Sequence, residues 1–318
     1  MTPIQDIYGR TFKTLRVSLL SACNLGCIYC TDSEDLAAEN KKQKNGALDS
    51  QELATIIQQL HQQLDLEVVR LTGGEPLLSP HLVPLIKEIK DLGITKIKLT
   101  TNGFLLERLA KPLKEAGMQS INVSLDAVDE DVFFLMSKRN GVKRILDGID
   151  AALDAGMEVK LNAVLMKGIN DNQIIPLLDY TFQRGIIIRF LEVMSMGHLY
   201  HNSEKFLVTK DEVLHTIANH YDFMPLIRSA SSTANYWKTD QGNVFGIIAN
   251  ESAPFCHDCN RLRLDSHGNI FGCLSSNYPI NINGVNSEEL NQKLALALSH
   301  KQKLKFSGSN LSMLNIGG

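Results

Sequence analysis

The sequence predicts an α/β fold: a TIM-like (β/α)6 barrel or partial barrel, followed by a C-terminal extension. Three observations point there. Short β-branched runs alternate with helical patterns from residue 14 to about 194. Five of the six strand candidates have one apolar and one polar face. After residue 200 the alternation stops, and a second group of cysteines appears.

The strand candidates are Leu15–Leu20, Glu67–Thr72, Lys96–Thr100, Ser120–Leu125, Glu158–Leu165 and Ile186–Leu191. Between them lie SQELATIIQQLHQQL, PHLVPLIKEIKDLG, LLERLAKPLKEAG, GVKRILDGIDAALDAG and DNQIIPLLDYTFQRG, with apolar residues at helical spacing. Several of these end in glycine just before the next strand, as helix C-termini do. Further on, TKDEVLHTIANHY reads as a helix opened by a capping box, Thr209 with Glu212. YWKTDQGNVFGII reads as a hairpin turning at Gln241-Gly242.

A parallel strand buried on both faces should be a continuous run of Val, Ile and Leu. These strands alternate instead. Arg16 and Ser18 interleave with Leu15 and Val17, Arg70 and Thr72 with Val69 and Leu71, and Lys98 and Thr100 with Ile97 and Leu99. Asn122 and Ser124 interleave with Val123 and Leu125, and Lys160 and Asn162 with Leu161 and Ala163. Side chains on a strand have period two, so one face of the sheet is apolar and the other polar. The apolar face must meet the helices, which leaves a wet, basic lumen.

The 318 residues, 44% hydrophobic and 21% charged, suit a globular chain with a full core. A formal net charge of −3 gives no overall pull toward nucleic acid or acidic membranes. The N-terminal stretch has no apolar run fit for a signal peptide, and nothing reaches transmembrane length. The expected compartment is the cytoplasm, with no membrane and no nucleic-acid partner.

All six cysteines fall into two triplets: Cys23, Cys27 and Cys30 in SACNLGCIYC, and Cys256, Cys259 and Cys273 in FCHDCNRLRLDSHGNIFGC. An odd number in each argues against locally closed disulfides and for metal in a reducing compartment. Three thiolates can hold an iron–sulfur cluster that normally takes four, leaving one iron open to a small molecule. The first triplet follows the first strand, at the carboxyl end where barrel active sites lie. Zinc is the alternative, but it prefers four protein ligands and no histidine is close in sequence.

C-x3-C-x2-C with Tyr29 before its last cysteine resembles the radical S-adenosylmethionine (SAM) superfamily. VVRLTGGEPLL, one strand later, continues the resemblance. The resemblance implies a partial barrel over residues 1–200, a [4Fe-4S] cluster on Cys23, Cys27 and Cys30, and SAM chelated to its open iron. Tyr29, Thr72, Gly73, Gly74, Glu75, Ser124 and Met194 would contact SAM. Gly73 and Gly74 would allow close backbone approach, and Glu75 would accept from the methionyl ammonium.

C-x2-C-x13-C followed by a terminal Gly-Gly resembles the GTP 3′,8-cyclase family of molybdenum-cofactor biosynthesis (MoaA). LTTNG, INVSLDA, VKLNAVLMKGIND, IRFLEVM and CNRLRL extend the match along nearly the whole chain. The resemblance implies that residues 201–318 form a C-terminal region carrying a second [4Fe-4S] cluster on Cys256, Cys259 and Cys273, whose open iron meets guanine. It implies GTP contacts from Arg16, Thr100, Lys160, Arg189, Arg261 and Arg263, with Lys160, Arg261 and Arg263 as the catalytic group. Arg261 and Arg263, two apart in an extended segment, point the same way, and guanidinium forks suit phosphate oxygens. The Gly317-Gly318 tail would insert toward the active site.

The implied reaction is the lyase-class rearrangement of GTP to its 3′,8-cyclised product. The implied partners are a flavodoxin- or ferredoxin-type reductant and a downstream cyclic pyranopterin monophosphate synthase, in a chain compatible with a homodimer. Three positions depart from the family pattern: Val68 stands where many members have a basic residue, Ser21-Ala22 replaces Asp-Arg, and Thr31-Asp32 replaces Met-Pro. The alternative reading is a radical SAM enzyme acting through an auxiliary cluster on a peptide or another nucleotide.

Overall fold

Among the described residues of the computed structural model, 4–32 and 47–317, twelve strands form one sheet. Its centre is the predicted set: β1 (Thr14–Ser18), β2 (Val68–Thr72), β3 (Lys96–Thr101), β4 (Ser120–Ser124), β5 (Glu158–Leu165) and β6 (Ile187–Glu192). These pair in parallel in chain order, each connected to the next by a helical crossover. The crossovers carry α1 (Ser50–Leu64), α2 (Leu82–Asp91), α3 (Leu106–Ala116), α4 (Glu130–Ser137), α5 (Val142–Asp154) and α6 (Ile174–Gln183).

Each predicted helix is present, and its local chemistry is visible. An Asp49–Glu52 capping box opens α1, and Gly117, at φ +113°, ends α3. The exception is α4, which the sequence reading did not contain. Its EDVFFLM run is apolar at consecutive positions and shows no helical period, so what marks it is the Asp129 cap on the Val132 N–H.

The extension does not fold away from the barrel. It contains α7 (Lys210–Ala218), β7 (Phe223–Pro225), β8 (Asn235–Thr239), β9 (Val244–Ile248), β10 (Arg261–Leu264), β11 (Asn269–Phe271), β12 (Ile280–Asn281), α8 (Ser287–Ser299) and α9 (Met313–Ile316). The predicted capping box at Thr209 and the hairpin at Gln241-Gly242 are both present. Strand β9 pairs in parallel with β6, and β10 in parallel with β1. The strand order β12-β11-β10-β1-β2-β3-β4-β5-β6-β9-β8-β7 shows the extension prolonging the sheet at both ends.

The strands bury their apolar face against the helices. Leu15, Val17, Val69, Leu71, Leu99, Ile121, Val123 and Leu161 pack with Ile57, Leu60, Leu85, Ile86, Leu113, Ile145 and Leu177 in one core. Each such side chain, fully buried, contributes about 1.5–3 kcal/mol of transfer free energy. Their rigid packing fixes the opposite, polar face of every strand. No helix among the described residues is long and apolar enough to cross a membrane.

Candidate functional site: a basic cavity between two cysteine triplets

The polar faces enclose a cavity of about 920 Å³, and all six cysteines line it. Register explains its charge. Parallel pairing aligns Arg263 on β10 with Arg16 on β1, Arg16 with Arg70 on β2, and Arg70 with Lys98 on β3. Four cations therefore lie in one row across adjacent strands. A second row aligns Thr100, Asn122 and Lys160, and a third aligns Ser124, Asn162 and Arg189. Burial first, then the neighbouring arginines, push the Arg16 guanidinium well below its usual range; burial takes Arg70 and Arg263 down to about 10. A row that repels itself in a half-closed cavity creates a strong field for an anion.

The first cysteine loop is pinned on several sides. Gly26 and Ile28 N–H groups donate to Ser137 and Met136 carbonyls at the end of α4. Arg139 donates to Asn24 O at 2.7 Å and Ser312 Oγ to Cys30 O at 3.1 Å; His198 Nε2 lies 2.8 Å from Ile28 O. Gly74 N donates to Leu20 O at 2.7 Å and Glu75 N to Ala22 O at 2.9 Å. The glycine pair is needed for this approach: a Cβ on Gly74 would collide with the Ala22 and Ser21 carbonyls, and one on Gly73 would lie 2.7 Å from Leu20 O. The close approach that Gly73 and Gly74 permit is thus to the cysteine loop's own backbone. Because those neighbours are backbone atoms that cannot rotate away, Gly74→Ala is expected to cost about 1–3 kcal/mol. It should lower the melting temperature in calorimetry and leave the first triplet short of iron by elemental analysis.

Glu75, the residue after the glycine pair, is buried, at 1% exposure. Its carboxylate accepts from Leu77 N (2.9 Å), Thr101 Oγ1 (2.6 Å) and Asn102 N (2.7 Å). These bonds tie the β2 loop to the end of β3, two on Oε1 and one on Oε2, which leaves Oε2 an acceptor position. Burial pushes Glu75 up to about 7, although those three donors oppose the shift.

The structure adds residues the sequence reading did not single out. Asn102 Nδ2 donates to Asn24 Oδ1 at 2.8 Å and lies 3.8 Å from Cys23 Sγ, while its Oδ1 accepts from Phe104 N. Asp126 accepts from Tyr29 Oη at 3.0 Å and from Val164 N at 2.8 Å; burial moves it up to about 6. Lys301 reaches the second triplet at Cys259.

The second triplet has its own supports. Arg10, itself paired with Asp6, donates to Cys256 O. Asp258 takes two hydrogen bonds from Arg228, at 2.7 and 2.8 Å, and a third from Ser231 N. Gly272, just before Cys273, packs under the end of α8, where a Cβ would collide with the Ala297 carbonyl.

The remaining predicted residues converge. Arg16, Tyr29, Thr72, Gly73, Gly74, Thr100, Ser124, Lys160, Arg189, Met194, Arg261 and Arg263 all line the cavity with the cysteines. Lys160 pairs with Glu158 on its own strand at 2.6 Å, and Arg189 donates to Asn122 Oδ1 at 2.8 Å. Arg261 donates to Ser231 O at 3.2 Å, and Arg263 to the carbonyls of Ile316 and Gly317. Gly317, at φ +70°, has no room for a side chain: its Cβ would lie 2.6 Å from Thr72 Cγ2. The tail therefore enters between the ends of β1 and β2. Gly318 lies outside the described residues.

The donor set of the first triplet fits an iron–sulfur cluster. None of the six cysteines is in a disulfide, and among the described residues no three His, Cys, Asp or Glu side chains are arranged to hold a single metal ion. Thiolates at separate corners of a cluster need not converge on one point. Burial raises Cys23 to about 11 and Cys30 to about 12, so these thiols stay neutral until a positive centre stabilises the thiolates.

Comparison with known proteins agrees with this geometry. Residues 17–181 match the Radical SAM superfamily, and residues 186–307 match Molybdenum Cofactor Synthesis C. A GTP 3′,8-cyclase of Staphylococcus haemolyticus is 40% identical over 301 residues, 92% of this chain and 88% of that protein. One from Synechocystis sp. is 37% identical over 313 residues, 98% of this chain and 94% of that one. Among solved structures, Streptococcus suis SuiB bound to S-adenosylmethionine gives a TM-score of 0.68 at 15% identity, over 91% of this chain and 68% of that one, a likeness of fold. The two matched stretches carry one cysteine triplet each, and the cyclase relatives run almost end to end with this sequence, so the chain belongs to the radical SAM superfamily and, within it, to the GTP 3′,8-cyclase family.

Proposed function

We propose that this chain converts GTP to (8S)-3′,8-cyclo-7,8-dihydroguanosine 5′-triphosphate, a lyase-class first step toward the molybdenum cofactor. The observation that carries the reading is the convergence of both triplets and a four-cation row on one cavity. Residues 1–200 serve as the radical SAM barrel and 201–318 as the auxiliary-cluster region.

Cys23, Cys27 and Cys30 hold the SAM-binding cluster, and Cys256, Cys259 and Cys273 hold a second one. When bound and reduced, the first cluster and SAM together supply the radical that takes hydrogen from the ribose C3′, after which the sugar closes onto guanine C8. Every other task falls to the chain. Tyr29, Thr72, Gly73, Gly74, Glu75, Ser124 and Met194 take SAM, with Glu75 also fixing its own loop to the end of β3. Arg16, Thr100, Arg189, Lys160, Arg261 and Arg263 take the nucleotide, with the last three neutralising the triphosphate and so fixing the ribose between the two halves. Gly317 closes the cavity beside Thr72 and shields the reacting carbon from water.

Two of the three departures fit this reading, and the structure offers no account of Thr31-Asp32. Val68 lines the cavity, but its register partner Lys96 lines it too and supplies a positive charge one strand over. Ser21 and Ala22 replace side chains where the structure uses backbone carbonyls. A flavodoxin- or ferredoxin-type protein supplies electrons, the product passes to a cyclic pyranopterin monophosphate synthase, and a homodimer is the assembly to test.

Anaerobic reconstitution should yield about eight irons per chain. Reduced protein given SAM and GTP should then release 5′-deoxyadenosine and the cyclised nucleotide in equal amounts, measured by chromatography with mass detection. 5′-Deoxyadenosine with GTP left intact would refute the substrate.

A further inference from the structure

Among the described residues, Lys301 is the one buried lysine, at 6% exposure. Its Nζ lies 3.4 Å from Cys259 Sγ, donates to Arg261 O at 2.9 Å, and faces the Phe12 ring at 5.0 Å from the centroid. Three N–H directions thus have three partners: a sulfur, a carbonyl and an aromatic face. None of them is a carboxylate, and among the described residues no Asp or Glu lies within ion-pair distance of Nζ. An ammonium taken out of water needs a counter-charge, or it loses its proton. The group beside it that can carry one is the Cys259 sulfur.

Lys301 is held at this spot. Its backbone N–H donates to Leu298 O at the end of α8, and the same turn packs over Gly272, the residue before Cys273. The neighbouring Gln302 carbonyl accepts from Arg10, which also holds Cys256 O. One short segment therefore fixes the ammonium relative to the loops of all three cysteines. Arg261 and Arg263 are also near, but they project into the cavity where the substrate binds.

We propose that Lys301 is a positioning residue for the second triplet: its ammonium donates to the Cys259 sulfur and raises the reduction potential of the cluster held there. This rests on the reading that the second triplet carries a cluster. The physical reason is charge. Reduction adds an electron to an already negative thiolate-ligated centre, and a fixed cation in a low-dielectric pocket stabilises the more negative state.

The test uses the full-length chain with Cys23, Cys27 and Cys30 changed to serine, so that one cluster remains to be titrated. Its midpoint potential is read by electron paramagnetic resonance, with Lys301 intact and in K301M and K301R. Methionine keeps the apolar stem and removes the charge; arginine keeps the charge. The expected result is a tenfold lower ratio of reduced to oxidised cluster in K301M at the parent's midpoint, a shift of roughly 59 mV to more negative potential for one electron. K301R should restore the parent value. Equal potentials in all three, or equal shifts in both variants, would overturn the role of Lys301 while leaving the second cluster in place. Loss of folded structure in both variants by circular dichroism would assign Lys301 to packing and also overturn it. A parent that binds no iron would overturn the second-cluster reading itself, and this inference with it.

Discussion

Replacing Arg261 and Arg263 together by alanine should abolish GTP turnover while leaving SAM cleavage at the first triplet intact. Both side chains line the cavity beside the second triplet, and their hydrogen bonds go to the carbonyls of Ser231, Ile316 and Gly317. Losing one partner of a buried charged contact costs about 2–5 kcal/mol in binding. Two such losses, at about 1.4 kcal/mol per factor of ten, lower kcat/KM by at least roughly a thousandfold. Turnover is read as cyclised nucleotide, and SAM cleavage as 5′-deoxyadenosine formed without it. Cyclisation at the parent rate would move the triphosphate elsewhere.

Stability should respond differently from activity. Arg263 sits in a row with Arg16, Arg70 and Lys98, and its burial already weighs against its charge. Removing it relieves like-charge repulsion but releases the carbonyls of Ile316 and Gly317. These effects oppose each other, so the melting temperature of the ligand-free protein changes little while substrate binding collapses. Lysine at 263 should not rescue activity. A point charge replaces the charge, but not the planar fork that can serve the tail and a phosphate at once.

How much of this was legible in the sequence depended on how local each feature is. Five of the six barrel strands are readable because their two faces differ at period two, and the same alternation predicts a basic lumen; the sixth, Ile187–Glu192, reads as a β-branched run. What alternation cannot give is register, and it was register that put Arg263, Arg16, Arg70 and Lys98 in one row. Strands β10 to β12 are two to four residues long, too short for any period to show. Helix α8 did carry a signal: Leu290, Leu294, Ala297 and Leu298 are buried at helical spacing behind an Asn286 cap. The cysteines declared themselves by spacing alone. Asn102, Asp126 and Lys301 did not, because each acts on a partner 42 to 97 residues away. Glu75 shows the opposite case. Its motif was plain, but the motif could not say that the carboxylate faces the β3 end while the glycines face the cysteine loop.

Changing Cys256, Cys259 and Cys273 to serine should halve the iron and remove GTP cyclisation, with the first cluster and its SAM cleavage retained. The separation follows from how each loop is held. The first triplet is pinned by β2, the end of α4, Arg139 and His198; the second by Arg10, Arg228 through Asp258, and the end of α8. None of the second set of contacts reaches the first loop. Serine keeps the size of cysteine but lacks the soft thiolate that iron–sulfur clusters need, so about four irons per chain should remain from about eight. Cys259 is the most informative single site. Burial raises its thiol, but Arg261 and Lys301 outweigh that and bring it down to about 7, whereas burial takes Cys256 up to about 11, so Cys259 is readier than Cys256 to bind as a thiolate. Cys259→Ser alone is therefore expected to abolish the second cluster. Iron content, the electron paramagnetic resonance signal with and without SAM, and product analysis together decide the matter. A triple variant that still cyclised GTP would show that the C-terminal sulfurs are structural and that the arginine row alone orients the nucleotide.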